Sequence, residues 1–234
     1  MYGDSIPYYD KFYTWKDYEA EAARLRTLIE EHKRSDGRRL LDLACGTGMH
    51  LPHLRDDFEV EGLDLQPGFL ATARERNPGL TFHEGDMTSF DLGQTYDVIT
   101  CLFSSIGYVR TTDALDATVG NIARHLRPGG VALIEPWFRP DLVKPGLLHV
   151  LTVDEPELKL CRMNRSEVEG NLSVLDMHYL VGTAEGVRHF TEHHELAAFT
   201  IDQFAAAGAA AGLDHQHLEE ALSDRGLHVY TQTV

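Results

Sequence analysis

The sequence has few cysteines and no long apolar run. Its three cysteines, at positions 45, 101 and 161, are odd in number and match no paired metal-ligand spacing. With no signal-like segment at the N-terminus, this usage favours the reducing cytoplasm over a secreted disulfide framework. No apolar run approaches the roughly 20 residues that a membrane-spanning helix needs, so we expect no membrane association.

Basic residues are also scarce. The chain has 21 Lys and Arg against 37 Asp and Glu, a formal net charge of −16. DNA, RNA and anionic membranes require a basic face, so the charge argues against all three and favours a small-molecule partner. At 234 residues the chain can bury one substantial core, and we expect a single domain over residues 1–234.

Two segments indicate a nucleotide site. In residues 40–48, LLDLACGTG, an apolar run breaks into small residues and Gly-x-Gly, a pattern typical of a buried strand that turns sharply into a helix. The next apolar run ends at Asp64, where a carboxylate at a strand tip can accept hydrogen bonds from a ribose diol. The alternative for the glycines is a tight turn without a ligand.

Further absences narrow the chemistry. A dinucleotide fingerprint needs a third glycine at position 51, which is Leu51, so NAD is disfavoured. The Gly-x-Ser-x-Gly elbow is missing, which argues against a Ser-His-Asp hydrolase of that type. Cys45 has no neighbouring base in the sequence, and we interpret it as a small apolar residue rather than a nucleophile.

Alternating apolar runs and helical patterns predict an open α/β sheet over the first two thirds of the chain. The predicted strands are Arg39–Leu43, Glu59–Asp64, Thr81–His83, Tyr96–Leu102 and Val131–Glu135. Five helices are predicted: Lys16 to about Ser35, His50–Asp56, Pro67–Arg76, a helix capped at Thr111 that ends at Leu126, and Ile201–Gly212.

Two segments depart from this alternation. Residues 1–18 form a tyrosine-rich arm with little helical periodicity, which either packs on the surface or covers the crevice as a lid. Residues 147–199 predict antiparallel hairpins, which roof the substrate side of the crevice or form a dimer surface. A final strand pair around residues 224–226 closes the sheet.

Three motifs in order resemble the class I S-adenosylmethionine-dependent methyltransferases: the glycine loop, Asp64, and GDM at residues 85–87. The resemblance implies a Rossmann-like α/β fold, with a seven-stranded, mostly parallel sheet and an antiparallel β insertion after strand five. It implies S-adenosylmethionine as cofactor and S-adenosylhomocysteine as product. The implied cofactor contacts are Ala44, Cys45, Gly46, Gly48, Asp64, Leu65, Asp86, Met87 and Leu102.

A narrower resemblance runs nearly end to end. The arm, FSSIGY at 103–108, EPW at 135–137, MHYLV at 177–181 and RGL at 225–227 resemble bacterial N,N-dimethyltransferases of TDP-linked amino sugars in antibiotic biosynthesis. The resemblance implies that Tyr2 and Tyr108 lie beside the amine as positioning groups and Arg225 near the diphosphate. It implies the other contacts as well: cofactor residues Tyr9 and Tyr18, and substrate residues Ser105 and Trp137.

Several alternatives stay open. The cofactor motifs do not identify the acceptor, so a non-sugar acceptor of an O- or N-methyltransferase competes, as does a cofactor-binding module without transfer activity. On a strand His189, His193 and Glu195 would share one face, a candidate metal set. We interpret them as the polar face of a hairpin, because 13 histidines form such clusters by chance. We therefore expect no metal site. For the oligomeric state, we expect a homodimer.

Overall fold

The computed structural model describes residues 2–233 and contains two β-sheets. Seven strands form the larger sheet: β1 (Arg39–Leu43), β2 (Glu59–Asp64), β3 (Thr81–Glu84), β4 (Tyr96–Cys101), β5 (Leu126–Ile134), β10 (Leu213–Leu218) and β11 (Leu227–Gln232). Their order is β10-β11-β5-β4-β1-β2-β3, and β11 alone runs antiparallel to its neighbours. This is the mostly parallel seven-stranded sheet that the sequence predicted.

Helices cover both faces of this sheet. They are α2 (Tyr18–His32), α3 (Leu51–Leu54), α4 (Pro67–Arg76), α5 (Thr112–His125) and α6 (Ile201–Ala210); the short α1 (Tyr9–Phe12) packs on the smaller sheet instead. Three begin at side-chain caps: Asp17 accepts from the Ala20 N–H, Thr111 from the Ala114 N–H and Thr200 from the Gln203 N–H. Each cap satisfies a backbone donor that the first helical turn leaves without a partner, and so defines where the helix starts.

The core is divided by the sheet into two layers. One layer joins α5 and α6 to residues such as Leu43, Ile99 and Ile134, and the other joins α2 and α3 to Leu40, Val98 and Leu133. Strand β4 is buried along its whole length, as expected for a central parallel strand covered on both sides. This packing holds the carboxyl ends of β1, β2 and β4 at one edge.

The second sheet consists of four antiparallel strands: β6 (Leu148–Glu155), β7 (Leu158–Glu169), β8 (Leu172–Thr183) and β9 (Gly186–Ala197). One face of it packs against the N-terminal arm through Phe12, Tyr13, Met177 and Tyr179. The other face is open. The predicted hairpins are therefore present, and their inner face contacts the arm.

Several local predictions differ from the structure. Helices α2, α3 and α6 are each shorter than the sequence predicted, and two further differences have a clear cause. Strand β5 begins at Leu126, not Val131, because the chain pairs with Tyr96 before residues 127–130 bulge out of the ladder. The arm is partly helical, with a 3-10 turn at Ile6–Tyr8 that continues into α1. Pro7 favours this turn, since its ring fixes a helical φ, and four-residue helices are too short to show periodicity.

No helix within residues 2–233 has the length and apolarity needed to cross a membrane.

Candidate active site

A cavity of about 360 Å³ opens at the carboxyl ends of β1, β2, β3 and β4. Ligands bind at this edge in open α/β sheets. Ten of the residues singled out in the sequence line it: Tyr2, Tyr9, Ala44, Gly46, Asp64, Leu65, Asp86, Met87, Ser105 and Tyr108. The sequence reasoning missed other lining residues, namely Leu63, Gln66, Phe69, Gly85, Thr88, Phe103, Val109, Arg110 and Ala114.

The glycine loop approaches the cavity closely at Gly46. Its φ is +56°, and a Cβ built there would meet no heavy atom within 4 Å, so the cradle is open on the cavity side. Gly48 has a packing role instead, because a Cβ there would lie 2.7 Å from the Asn77 amide nitrogen. Cys45 is buried against Gly62, and burial raises the pKa of its thiol, which argues against a nucleophile.

Asp64 ends β2 with its carboxylate held by the backbone. Gly46 N–H donates to Oδ2 at 2.8 Å, and Gln66 N–H donates to Oδ1 at 2.8 Å. Burial raises the pKa of this carboxyl, while these backbone donors partly offset the shift. Each carboxylate oxygen can accept more than one hydrogen bond, so acceptor capacity remains for a diol.

Another part of the cavity wall offers a place for a flat ring. Leu65, which is 45% exposed, lines the cavity together with Met87 and Val109, and all three contribute apolar surface. Asp86 Oδ1 accepts from the Thr88 N–H and hydroxyl, both at 2.8 Å, which fixes the carboxylate at the cavity edge. These features fit a nucleoside that carries a small chain. They are the open backbone at Gly46, the carboxylate of Asp64 at the strand tip, and the apolar surface with the single carboxylate of Asp86.

Aromatic rings of the arm cover this cavity. The ring centroids of Tyr2, Tyr9 and Phe69 lie 5.0 to 5.3 Å apart in edge-to-face arrangements. Such contacts are favourable between aromatic quadrupoles and exclude water from the space below. The structure therefore favours the lid interpretation of residues 1–18 over the alternative of a surface arm.

A polar clamp fastens the arm to the glycine loop. Asp10 accepts from the Thr47 hydroxyl at 2.6 Å and from the Arg76 guanidinium at 2.6 Å, and Arg76 also donates to the Thr47 carbonyl at 2.5 Å. These three residues come from α1, the loop and α4. The sequence reasoning missed this clamp because no spacing pattern connects positions so far apart.

Tyr108 reaches the cavity from a strained loop. Phe103 and Ser104, neither of them glycine, have φ values of +52° and +65°. The Phe103 N–H donates to Glu135 at 2.6 Å and the Ser104 hydroxyl donates to the Pro136 carbonyl at 2.7 Å, which hold this unfavourable backbone. The Tyr108 hydroxyl lies 2.9 Å from His194 Nδ1.

Six of the singled-out residues do not line the cavity: Tyr18, Cys45, Gly48, Leu102, Trp137 and Arg225. Tyr18 packs edge-on against His50, and the Leu102 carbonyl accepts from the Ser105 hydroxyl at 2.9 Å. Trp137 borders Gly107, and its indole N–H is buried without a hydrogen-bond partner. These positions support the loops around the cavity.

Arg225 pairs with a buried carboxylate. Its Nη2 donates to Glu135 Oε1 at 2.5 Å, and its guanidinium lies 5.7 Å from the Phe103 and Phe138 ring centroids. Glu135 also accepts from the Ser223 hydroxyl at 2.7 Å. The closing segment of the chain is thereby tied to the loop that carries Tyr108.

The histidine cluster is divided between the two faces of β9. His189 stacks on His178, and His193 lies 2.7 Å from Asp176 on the outer face, whereas His194 points inward and is buried. Within residues 2–233 no group of three or more His, Cys, Asp or Glu side chains is placed to hold a metal ion. The alternation expected from the sequence is confirmed, because His189, His193 and Glu195 share one face of the strand and His194 lies on the other.

The chain is similar to known methyltransferases. A family model described as "Methyltransferase domain" matches residues 40–130. A dTDP-3-amino-3,6-dideoxy-alpha-D-glucopyranose N,N-dimethyltransferase of Streptomyces fradiae is 42% identical, covering 91% of this chain and 84% of its own length. The crystal structure of Streptomyces venezuelae DesVI aligns with a TM-score of 0.91 at 38% identity and covers all of both chains.

A structure with bound cofactor is also similar. S-adenosylmethionine-bound CalS10, an amino pentose methyltransferase from Micromonospora echinaspora involved in calicheamicin biosynthesis, aligns with a TM-score of 0.87 at 38% identity. The alignment covers 100% of this chain and 98% of that one.

Proposed function

The chain belongs to the S-adenosylmethionine-dependent sugar N,N-dimethyltransferases, and from this membership we propose that it methylates the amine of a nucleotide-linked amino sugar. The observation that carries the proposal is the single cavity that joins the glycine loop and Asp64 to Tyr2 and Tyr108 beneath the arm. A cofactor and an acceptor amine can meet there without water between them.

In this proposal, different cavity residues bind different parts of the cofactor. Ala44 and Gly46 take the methionine chain, Asp64 takes the ribose hydroxyls, and Leu65, Asp86 and Met87 take the adenine. When bound, S-adenosylmethionine supplies a methyl group already activated on a sulfonium. The protein therefore needs only to align an uncharged amine behind that group, and alignment can lower the barrier by several kcal/mol, roughly 7–11 at best.

Tyr2 and Tyr108 orient the amine in this proposal. Both rings line the cavity, and the ring centroids lie 6.1 Å apart, so one amine can contact both hydroxyls. Burial raises the pKa of each hydroxyl, which keeps both phenols neutral. A neutral phenol accepts a hydrogen bond from the amine and favours the positive charge that develops on nitrogen.

Residues around the cavity complete the proposal. Tyr9 closes the lid, and Ser105 and Trp137 support the substrate loop. Arg225 is assigned near the diphosphate from the RGL motif; because its guanidinium is already paired with the buried Glu135, diphosphate binding would use the N–H donors that this pair leaves available. We propose that residues 1–234 form one catalytic domain, because the cavity joins the arm to the larger sheet, and the loops around it contact the second sheet through His194 and the closing segment through Arg225.

A direct assay tests the proposal. Purified protein is incubated with S-adenosylmethionine and TDP-linked amino sugars, and mass spectrometry follows products heavier by one and two methyl groups. Simple amines and hydroxylated metabolites serve as competitors. Methylation of the sugar nucleotide supports the proposal, whereas transfer to a plain amine or hydroxyl alone would replace it.

We further propose a homodimer and a cytoplasmic location. The outer face of the second sheet exposes Leu148, Val150, Met163 and Leu180, an apolar patch that a second copy would cover. Sedimentation of the wild type and of Val150→Lys tests the dimer, which the lysine should dissociate. The three free cysteines support a reducing compartment.

A further inference from the structure

A line of three polar side chains runs from the cavity into the second sheet. The Tyr108 hydroxyl lies 2.9 Å from Nδ1 of His194, and Nε2 of His194 lies 3.4 Å from Oε2 of Glu192. The side chains of His194 and Glu192 are 0% and 6% exposed. Neither residue lines the cavity; His194 reaches it through the Tyr108 hydroxyl, and its ring also packs against that of Tyr2 at 4.7 Å between centroids.

The carboxylate at the end of this line is held as an anion. Glu192 Oε1 accepts the N–H groups of Gly3 and Ser5 at 2.8 and 3.0 Å, and Oε2 accepts the Ser5 hydroxyl at 2.7 Å. Burial raises the pKa of this carboxyl. The hydrogen bonds from His194, Ser5 and Gly3 outweigh the effect of burial and lower the pKa of Glu192 to about 2.

The anion sets the tautomer of His194. Because an ionised carboxylate only accepts, Nε2 must carry the hydrogen that faces Glu192. Burial lowers the pKa of His194, so the ring is neutral and its Nδ1 is an acceptor. The Tyr108 hydroxyl therefore donates to Nδ1, and its oxygen is left as an acceptor that the Tyr2 hydroxyl now contacts and that a group in the cavity can use instead.

We infer that His194, acting through the Tyr108 hydroxyl, takes up the proton that the acceptor nitrogen must lose between methyl transfers. The inference deepens the proposed N,N-dimethylation and rests on it. Each transfer leaves a positive charge and a surplus proton on nitrogen, and a secondary ammonium has no lone pair for the next transfer. Deprotonation to bulk water is hindered when the aromatic lid is closed.

The proton balance of the step is complete. The N–H bond of the ammonium breaks and a new O–H bond forms at Tyr108, while the original Tyr108 proton passes to Nδ1 of His194. The amine becomes neutral, His194 becomes an imidazolium, and Glu192 stabilises that charge. The proton returns through Tyr108 to solvent once the product has left.

The surroundings of His194 are compatible with this role. Among residues 2–233, the charged and titratable groups that face it are Glu192 on its own strand, Tyr108 on the neighbouring loop, Tyr2 on the arm and Arg162 on β7. The Arg162 charge opposes protonation, and Glu192 favours it. His194 is a positioning residue for Tyr108 that also accepts a proton, and it has no direct contact with the substrate site.

A pH profile of His194→Asn tests the inference, because the asparagine oxygen can replace Nδ1 as acceptor for Tyr108 but cannot take up a proton. We expect kcat for the second methyl transfer at pH 6.5 to fall roughly ten- to a hundredfold. The rate should then rise about tenfold per pH unit towards the pKa of the free amine. Monomethylated product should accumulate at low pH and disappear near pH 9.

Matched variants separate this role from a structural one. His193→Asn changes the adjacent histidine on the outer face and should leave the profile unchanged. Glu192→Gln should weaken His194 as a base and shift the profile in the same direction as His194→Asn.

Two results overturn the inference: a loss of activity in His194→Asn that is equal at every pH, or a wild-type profile in both His194→Asn and Glu192→Gln. Calorimetry with S-adenosylhomocysteine establishes that each variant still binds the cofactor product. If the wild type methylates only a non-sugar amine, the proposed substrate fails, and the same pH comparison with that amine still tests the relay.

Discussion

Replacing Arg225 should cost stability as well as acceptor binding, since its partner Glu135 is buried. The side chains are 14% and 2% exposed, respectively. Removing one member of a buried ion pair leaves an uncompensated charge and costs about 3–5 kcal/mol. The Phe103 N–H and Ser223 hydroxyl still donate to Glu135, so we expect roughly 2–4 kcal/mol for Arg225→Met.

For a chain of this length that loss corresponds to a fall in Tm of roughly 4–16 °C, measured by scanning calorimetry. The double variant Arg225→Met with Glu135→Gln should recover part of the loss, because the stranded charge is gone. Lys159→Met is the control: its pair with Asp154 is exposed and is worth about 1 kcal/mol or less.

The outcome also decides between two roles of the guanidinium. An unchanged Tm with a raised acceptor KM would refute the structural reasoning and leave diphosphate binding as the function of Arg225. A lower Tm with unchanged acceptor kinetics would instead remove Arg225 from the substrate site.

Three further predictions concern other parts of the molecule. Asp64→Ala should raise the Kd of S-adenosylhomocysteine in calorimetry by roughly ten- to a hundredfold, since a charged acceptor contributes about 1.5–3 kcal/mol; unchanged affinity would show that the ribose lies elsewhere. Arg76→Met should release Asp10 of the arm from α4 and weaken its hold on the glycine loop, raising the cofactor KM and the rate of proteolysis within residues 1–18; equal proteolysis rates would contradict the clamp. Burial, with His217 and His215 nearby, lowers the pKa of His228 to about 2, so the unfolded state binds more protons below about pH 6.5 and stability should fall there with decreasing pH. His228→Phe should flatten that fall between pH 5 and 7.5 in thermal melts, and an unchanged slope would exclude His228 as its source.

Much of the fold follows from local patterns. The apolar run of β4 and the glycine loop after β1 are contiguous in sequence, so periodicity and glycine conformation identify them without tertiary information. The acid at the tip of β2 follows from the same reasoning, because parallel strands end at one edge. The bounds of β1, β2 and α4 match the sequence expectation residue for residue.

Residues distant in sequence could not be paired in this way. Asp10 meets Thr47 and Arg76 only when the arm closes, and Glu135 meets Arg225 only when the last strands complete the sheet. The start of β5 was misjudged for a related reason: glycines at 129 and 130 indicate a turn locally, yet the sheet pairs residues on both sides of them.

The amino-acid sequence by itself determined the part of the site that we propose for the cofactor, because the glycine loop, Asp64 and Asp86 lie in short segments whose geometry their own residues impose. Only the tertiary structure decided the part that we propose for the acceptor. The second sheet brings His194 and Glu192 behind Tyr108, and the arm lays Tyr2 over it. Those contacts depend on how elements pack across more than 80 residues of chain, a distance over which no sequence period carries information.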